Sequence, residues 1–277
     1  KQGGDNPYPN WAELRREDRE EAPAVTLIVQ DAAGNVVRRV PGATGKGFHR
    51  LAWDLRYPAP DPVDLDPPVD RPPWADEPQG PLALPGEYTV TLTKRIEGGL
   101  VELAGPEPFS LKALFEGGML AENPQSVLDF QMQSAALYRA VTGADAAADE
   151  IENRIRHLVA AVALTAGASE SQAERVRAIN TRMQDLRILL NGDRTRESRA
   201  EPVPVPITAR IRAIVGGHWD SQAAVPQTLR DSYAVADAEF RTALAELKSI
   251  ATDLAGLESE LQAKGAPWTP GRIPDWP

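Results

Sequence analysis

Proline is distributed unevenly along this chain, and that unevenness limits what it can fold into. Many of the 25 prolines fall between Pro41 and Pro108, and the stretch from Gln125 to Gly192 has none. Proline lacks the backbone N–H that a helix or a central strand needs. Long helices are therefore confined to the second half. The first half must be short strands and loops, so the chain divides into a β part and an α part.

Within residues 24–114 the hydrophobic pattern has period two. The run AVTLIV (24–29) is rich in β-branched residues, and DAAGNVV after it supplies a turn in which Gly34 or Asn35 takes positive φ. In HRLAWDL, His49, Leu51, Trp53 and Leu55 alternate with Arg50, Ala52, Asp54 and Arg56, which predicts a strand. EYTVTLT sets Tyr88, Val90 and Leu92 against Thr89, Thr91 and Thr93, and FSLKAL (109–114) can close the set. Several short antiparallel strands at this spacing predict an immunoglobulin-like β-sandwich over 24–115, with a long Pro-rich loop at 58–81. Residues 1–23 form an extension or linker. The opening KQGGDNPYPN is not a signal peptide and reads as a cut inside a longer chain.

From Asn123 the period becomes helical. Val127, Phe130, Ser134, Leu137, Val141, Ala144, Ala148, Ile151, Ile155, Leu158 and Val162 alternate spacings of three and four without a slip. So do Leu229, Tyr233, Ala236, Phe240, Ala243, Leu247, Ile250, Leu254, Leu257 and Leu261. A shorter run is Val176, Ile179, Met183, Leu186 and Leu190. Seams of this kind predict long helices packed at shallow, coiled-coil-like angles. Asn123-Pro124, Ser169 with Gln172, and Pro226 mark helix starts, and Gly167 and Gly192 mark stops. Gly143 leaves the first seam in phase, so one helix is expected through it. A short helix at 207–215, before GGHWD, continues the second leg. The expectation is an elongated antiparallel three-helix bundle over 122–264, then a Pro- and Trp-rich tail at 265–277. EGG (116–118) permits bending between the two parts.

Little in the chain carries chemistry. Trp53, Asp54 and Arg56 resemble a carbohydrate platform, but the simpler reading is a packed Trp beside an exposed Asp54–Arg56 ion pair. The acidic loop residues Asp61, Asp64, Asp66, Asp70, Asp76 and Glu77 lack the spacing and central glycine of a calcium loop. His49, His157 and His218 lie far apart, with no partner at ligand spacing. Asp149, Glu150 and Glu152 read as a solvated helix face rather than a glycosidase pair, and GATGKGF (42–48) is not a phosphate loop. Trp74 in the Pro-rich loop argues for docking, and Trp219 reads as a loop plug. With Asp54 and Arg56 these two make up the candidate interaction surface. No catalytic, cofactor or metal residue is assigned, and the chain by itself reads as no enzyme. The absence of cysteine excludes disulfides and thiol catalysis. A net charge of −10 argues against nucleic acid as the main partner, and no apolar run is long enough to be a transmembrane segment.

The ordered set VTLIVQDAAGNVVRRV, GFHRLAWDLRYP and GPLALPGEYTVTL resembles the region after the β-propeller in bacterial exported proteins with sortilin-like (BNR/VPS10-type) repeats. The matching positions are Asp31, Gly34, Val36, Val37 and Arg38; Trp53, Asp54, Arg56, Tyr57 and Pro58; Trp74; and Gly80, Pro81, Pro85, Gly86, Tyr88 and Val90. The sandwich is also similar to the immunoglobulin-like domain of flagellar hook-capping proteins. The resemblance implies an extracytoplasmic, periplasmic or secreted location and a non-catalytic accessory role. The sandwich would dock on a preceding β-propeller, and the bundle would face a protein partner or a second copy as a homo-oligomer. The alternatives are a substrate-facing module of a glycosidase- or peptidase-like propeller enzyme and a hook-cap-like assembly scaffold.

Overall fold

The computed structural model describes residues 9–63, 65, 78–114 and 120–274. The chain is α+β: four antiparallel strands in one sheet, and helices that fill the second half. It divides into two compact units. One holds residues 1–58 and 81–118, the other 59–80 and 119–277.

The first unit opens with a short helix, α1 (Trp11–Asp18), closed by an Asn10–Glu13 capping box and burying none of its residues. The sheet follows, with β1 (Ala24–Asp31), β2 (Val36–Gly42), β3 (Gly86–Ile96) and β4 (Gly99–Leu111) in the order β2-β1-β3-β4. Every neighbouring pair is antiparallel, with Leu27 opposite Val40 on one side and Leu92 on the other. The β1–β2 turn forms where the sequence places it. Gly34 takes φ 83°, and Asp31 Oδ1 accepts from the backbone N–H groups of Ala33 and Asn35 at 3.0 and 2.9 Å.

Two expectations for this unit are corrected. HRLAWDL is not a strand. Leu55 has φ 59°, and regular pairing shrinks to one bridge, between Arg56 and Leu82. Residues 99–111 form the longest strand despite Pro106 and Pro108. Among the described residues β4 pairs only with β3, so it lies at the sheet edge, where a proline breaks no ladder. The second layer over the sheet is therefore irregular chain from 51–57 and 81–85 rather than a second sheet. It is stitched together by Tyr57 N–H to Pro81 O (2.9 Å) and Ala83 N–H to Leu55 O (2.7 Å). Val29, Val37, Ala83 and Tyr88 form the buried core beneath it, with Trp53, Tyr57, Val90, Phe109 and Leu111 packed around them.

The second unit is built by helices α2 (Pro124–Leu164), α3 (Glu170–Asn191), α4 (Arg194–Glu197), α5 (Ile207–His218) and α6 (Gln227–Gln262). At 1.5 Å per residue, α2 and α6 extend ~60 and ~54 Å. α2 runs unbroken through Gly143, where an added Cβ would meet nothing. The capping side chains read from sequence are in place: Asn123 accepts from Ser126 N–H, and Ser169 and Gln172 form a capping box. The seams are buried, with Val141, Ala148, Ile155, Ala236, Ile250, Leu254, Leu257 and Leu261 all fully enclosed. α2 and α6 touch each other, and both touch α3 and α5. Arg154 of α2 meets Glu258 of α6 and Phe130 meets Tyr233, so these two helices run the same way. Arg182 and Arg175 of α3 reach Glu246 and Glu260, so α3 runs against them.

A third correction concerns α5, which extends through Gly216 and Gly217 to His218. Packing explains the extension. His218 is buried with its ring edge-on to Phe130, and Trp219 N–H continues the helical ladder to Val215 O. A fourth concerns the Pro-rich segment. Its described residues 59–63, 65 and 78–80 group with the helices, not the sheet, and Tyr138 Oη of α2 donates to Asp61 Oδ1 at 2.8 Å.

Candidate functional site

In the aromatic motif at 47–58, Trp53 and Tyr57 pack against the sheet core, while Phe48 is fully exposed. Arg38 reaches out from β2, donates from Nη1 to Tyr57 O (3.0 Å) and meets Asp54 Oδ2 with Nη2 at 3.5 Å. Asp54 Oδ1 accepts from Arg56 N–H, and the Trp53 indole N–H donates to Arg56 O at 2.9 Å. The Trp53 ring stands edge-on to Tyr88 (5.7 Å) and Phe109 (6.3 Å). Tyr88 Oη donates in turn to Leu84 O at 2.6 Å. Burial pushes the Tyr57 and Tyr88 hydroxyls above their ordinary range. Trp53, Asp54, Arg56 and Arg38 therefore converge, which the alternation expected of a strand did not suggest, and they do so on one another and on backbone. The partner expected for the Asp54 carboxylate is corrected as well: it meets the Arg38 guanidinium and the Arg56 backbone amide.

The other candidates do not join this cluster. Trp219 is buried at the end of α5, in the helical unit. Trp74 lies outside the described residues, as do Asp64, Asp66, Asp70, Asp76 and Glu77. His49 and His157 are exposed and meet only local carbonyls, Gly45 O and Asn153 O. Among the described residues no three His, Asp or Glu side chains are grouped to hold a metal.

Sequence reasoning missed the charged lattice that binds the helices together. Arg187 of α3 reaches Asp145, Asp149 and Glu152 of α2, and Asn191 adds a bond to Asp145 Oδ1. These residues line an open cavity of ≈ 990 Å³ with Arg194, Glu197 and Arg212. Its carboxylates neutralise a guanidinium, so the cavity is a cross-link rather than an acid–base pair. Arg182 spans Glu246 and Asp253 of α6, and Arg175 binds Glu260 with both carboxylate oxygens. The Arg175 contact holds the exposed Glu260 carboxyl below its ordinary range. The available signal was weak: Asp145, Asp149 and Glu152 share a face at helical spacing, but nothing local points to Arg187.

On the sheet, Ile28, Gln30, Val36, Thr91, Thr93, Leu100 and Glu102 line a shallow hollow of ≈ 340 Å³. Val36 and Leu100 are largely exposed there. No family model, curated protein or solved structure matches this chain. No described helix is long and apolar enough to cross a membrane.

Proposed function

We infer that this chain is a non-catalytic accessory region of an exported β-propeller protein, acting in domain docking and protein–protein interaction. One observation carries the reading. The residues a ligand platform would need are committed to internal contacts, with the Trp53 indole bonded to Arg56 O and the Arg38 guanidinium to Tyr57 O. The β unit is a single antiparallel sheet covered on one face by the irregular segments 51–57 and 81–85, a reduced form of the sandwich the sequence pattern predicts. Its hollowed sheet face at Val36 and Leu100 is the surface offered to the propeller. The helical unit is a three-legged bundle, with α3 and α5 as the middle leg. Charge cross-links between its legs support a rigid surface for a protein partner or a second copy. The extracytoplasmic location rests on the sequence resemblance, and a chain free of cysteine permits it.

A photo-crosslinking residue placed at Val36 or Leu100 in the source cell tests this. The expected product joins the chain to a β-propeller domain of the same protein or complex. Release of sugar or peptide products by the purified chain overturns the reading, and so does the absence of any propeller adduct from either position.

A further inference from the structure

The end of the helical unit where α5 stops contains a buried imidazole in an unusual setting. His218 is 4% exposed. Gln131 of α2 donates from Nε2 to two carbonyls, His218 O at 2.8 Å and Ser221 O at 3.1 Å. Those two bonds engage both amide protons and orient the side chain. The same nitrogen lies 3.4 Å from His218 Nδ1. A proton on Nδ1 would then face a donor, so the neutral ring carries its proton on Nε2. That atom is buried and has no hydrogen-bond partner. The imidazolium has two N–H donors to satisfy; the one on Nδ1 would face the Gln131 amide, itself a donor, and the Ala223 backbone is the acceptor that lies near the ring.

Among the described residues, the helices around the ring set no carboxylate against it. α2 presents Phe130, edge-on at 6.1 Å, and Gln131. α6 presents Arg230, whose guanidinium lies 5.4 Å from the centre of the Phe130 ring, and Tyr233 against the same ring. Carboxylates at this end are turned outward. Asp129 and Asp231 are exposed and bonded to Gln125 and Gln227, and Glu122 and Asp220 are exposed too. Burial, the largest cause, favours the neutral ring, a hydrogen bond with the Ala223 backbone acts in the opposite sense, and the Arg230 charge adds to burial.

We propose that His218 and Gln131 form an acid-released latch, in which protonation of the imidazole frees the 218–226 turn from α2. Above the ordinary histidine range the ring is neutral and the latch is closed. Because the folded ring resists protonation, the closed state loses stability as the pH falls below about 6.5, the value for an unperturbed histidine. The loss continues until the folded ring itself titrates.

The test uses the full chain. Amide hydrogen exchange, corrected for the intrinsic effect of pH, is followed at 218–226 and at 240–255 between pH 7.5 and 5. Protection at 218–226 should fall up to tenfold for each unit by which His218 titrates below the open turn. Residues 240–255 should hold, and His218→Gln should remove the fall. An NMR titration of the wild type reads the same claim without a variant: His218 should titrate below 6.5, the value for an unperturbed histidine. Titration of His218 at or above that value overturns the latch. So does an equal loss of protection in both segments, or the same loss in His218→Gln.

Discussion

Asp31 shows how one side chain can set a turn. Its Oδ1 takes the N–H groups of Ala33 and Asn35, and its Oδ2 takes the Asn35 side-chain amide at 3.0 Å. The Asn35 amide is the largest cause holding the Asp31 carboxyl below its ordinary range. A carboxyl depressed by folding contributes stability that is complete above the unfolded value, 3.8, and is lost as the pH falls through the lower folded value. The β1–β2 turn should therefore loosen in strong acid, and Asp31→Asn should abolish that dependence; exchange at the Asn35 amide reads both. Trp53 acts by packing. Trp53→Ala removes two edge-on ring contacts from a half-buried site and should cost ~3 kcal/mol in a denaturant titration.

Between elements, single atoms decide whether two surfaces close. Gly105 sits in β4 at φ 103°, and a Cβ there would stand 2.6 Å from Val90 O and 3.1 Å from Thr91 Cα. Gly105→Ala should push β4 off β3 and destabilise the sheet by ~1–3 kcal/mol, read by loss of exchange protection along 88–96. At the far end of the helices, Glu258 is 1% exposed and is held by Arg154 through Nε at 3.2 Å and Nη2 at 2.5 Å. Arg272 of the tail closes over them, donating to Glu258 O and Gln262 Oε1. Arg154→Met leaves a buried carboxylate without its partner and should cost ~3 kcal/mol. The double variant Arg154→Met, Glu258→Leu should recover most of that loss, because removing both charges also removes their desolvation.

Over the whole chain, two cores form that share no residue, one among helices and one against the sheet. The chain passes between the units at 58–59, 80–81 and 118–119. The β core is the smaller, and burial per residue governs how much stability a unit can hold. Scanning calorimetry should resolve two transitions, with the β unit melting first. Trp53→Ala should lower only that one. Leu254→Ala, at a fully enclosed position, should lower only the other, by ~2–5 kcal/mol.

Periodicity and capping residues determined α2, α3 and α6, their buried faces and most of their caps, because each depends on residues within a turn or two of one another, whereas α1 and α4 went unread. Val127 to Leu158 and Ala236 to Leu261 needed no partner to be recognised as buried faces. The turn at Asp31–Asn35 was local in the same sense. What required the folded chain was every choice between distant partners. Alternation in HRLAWDL has the form of a strand, but the segment finds no ladder and lies over the sheet as a loop. The last strand, expected only from Phe109, begins at Gly99 and carries Pro106 and Pro108, because β4 is an edge where a missing N–H breaks no ladder. Asp61 joins the helices through Tyr138, Arg187 finds three carboxylates on another helix, and His218 draws two glycines into α5. Local pattern fixes which face of a segment avoids water, and only the arrangement of the whole chain decides what lies against that face.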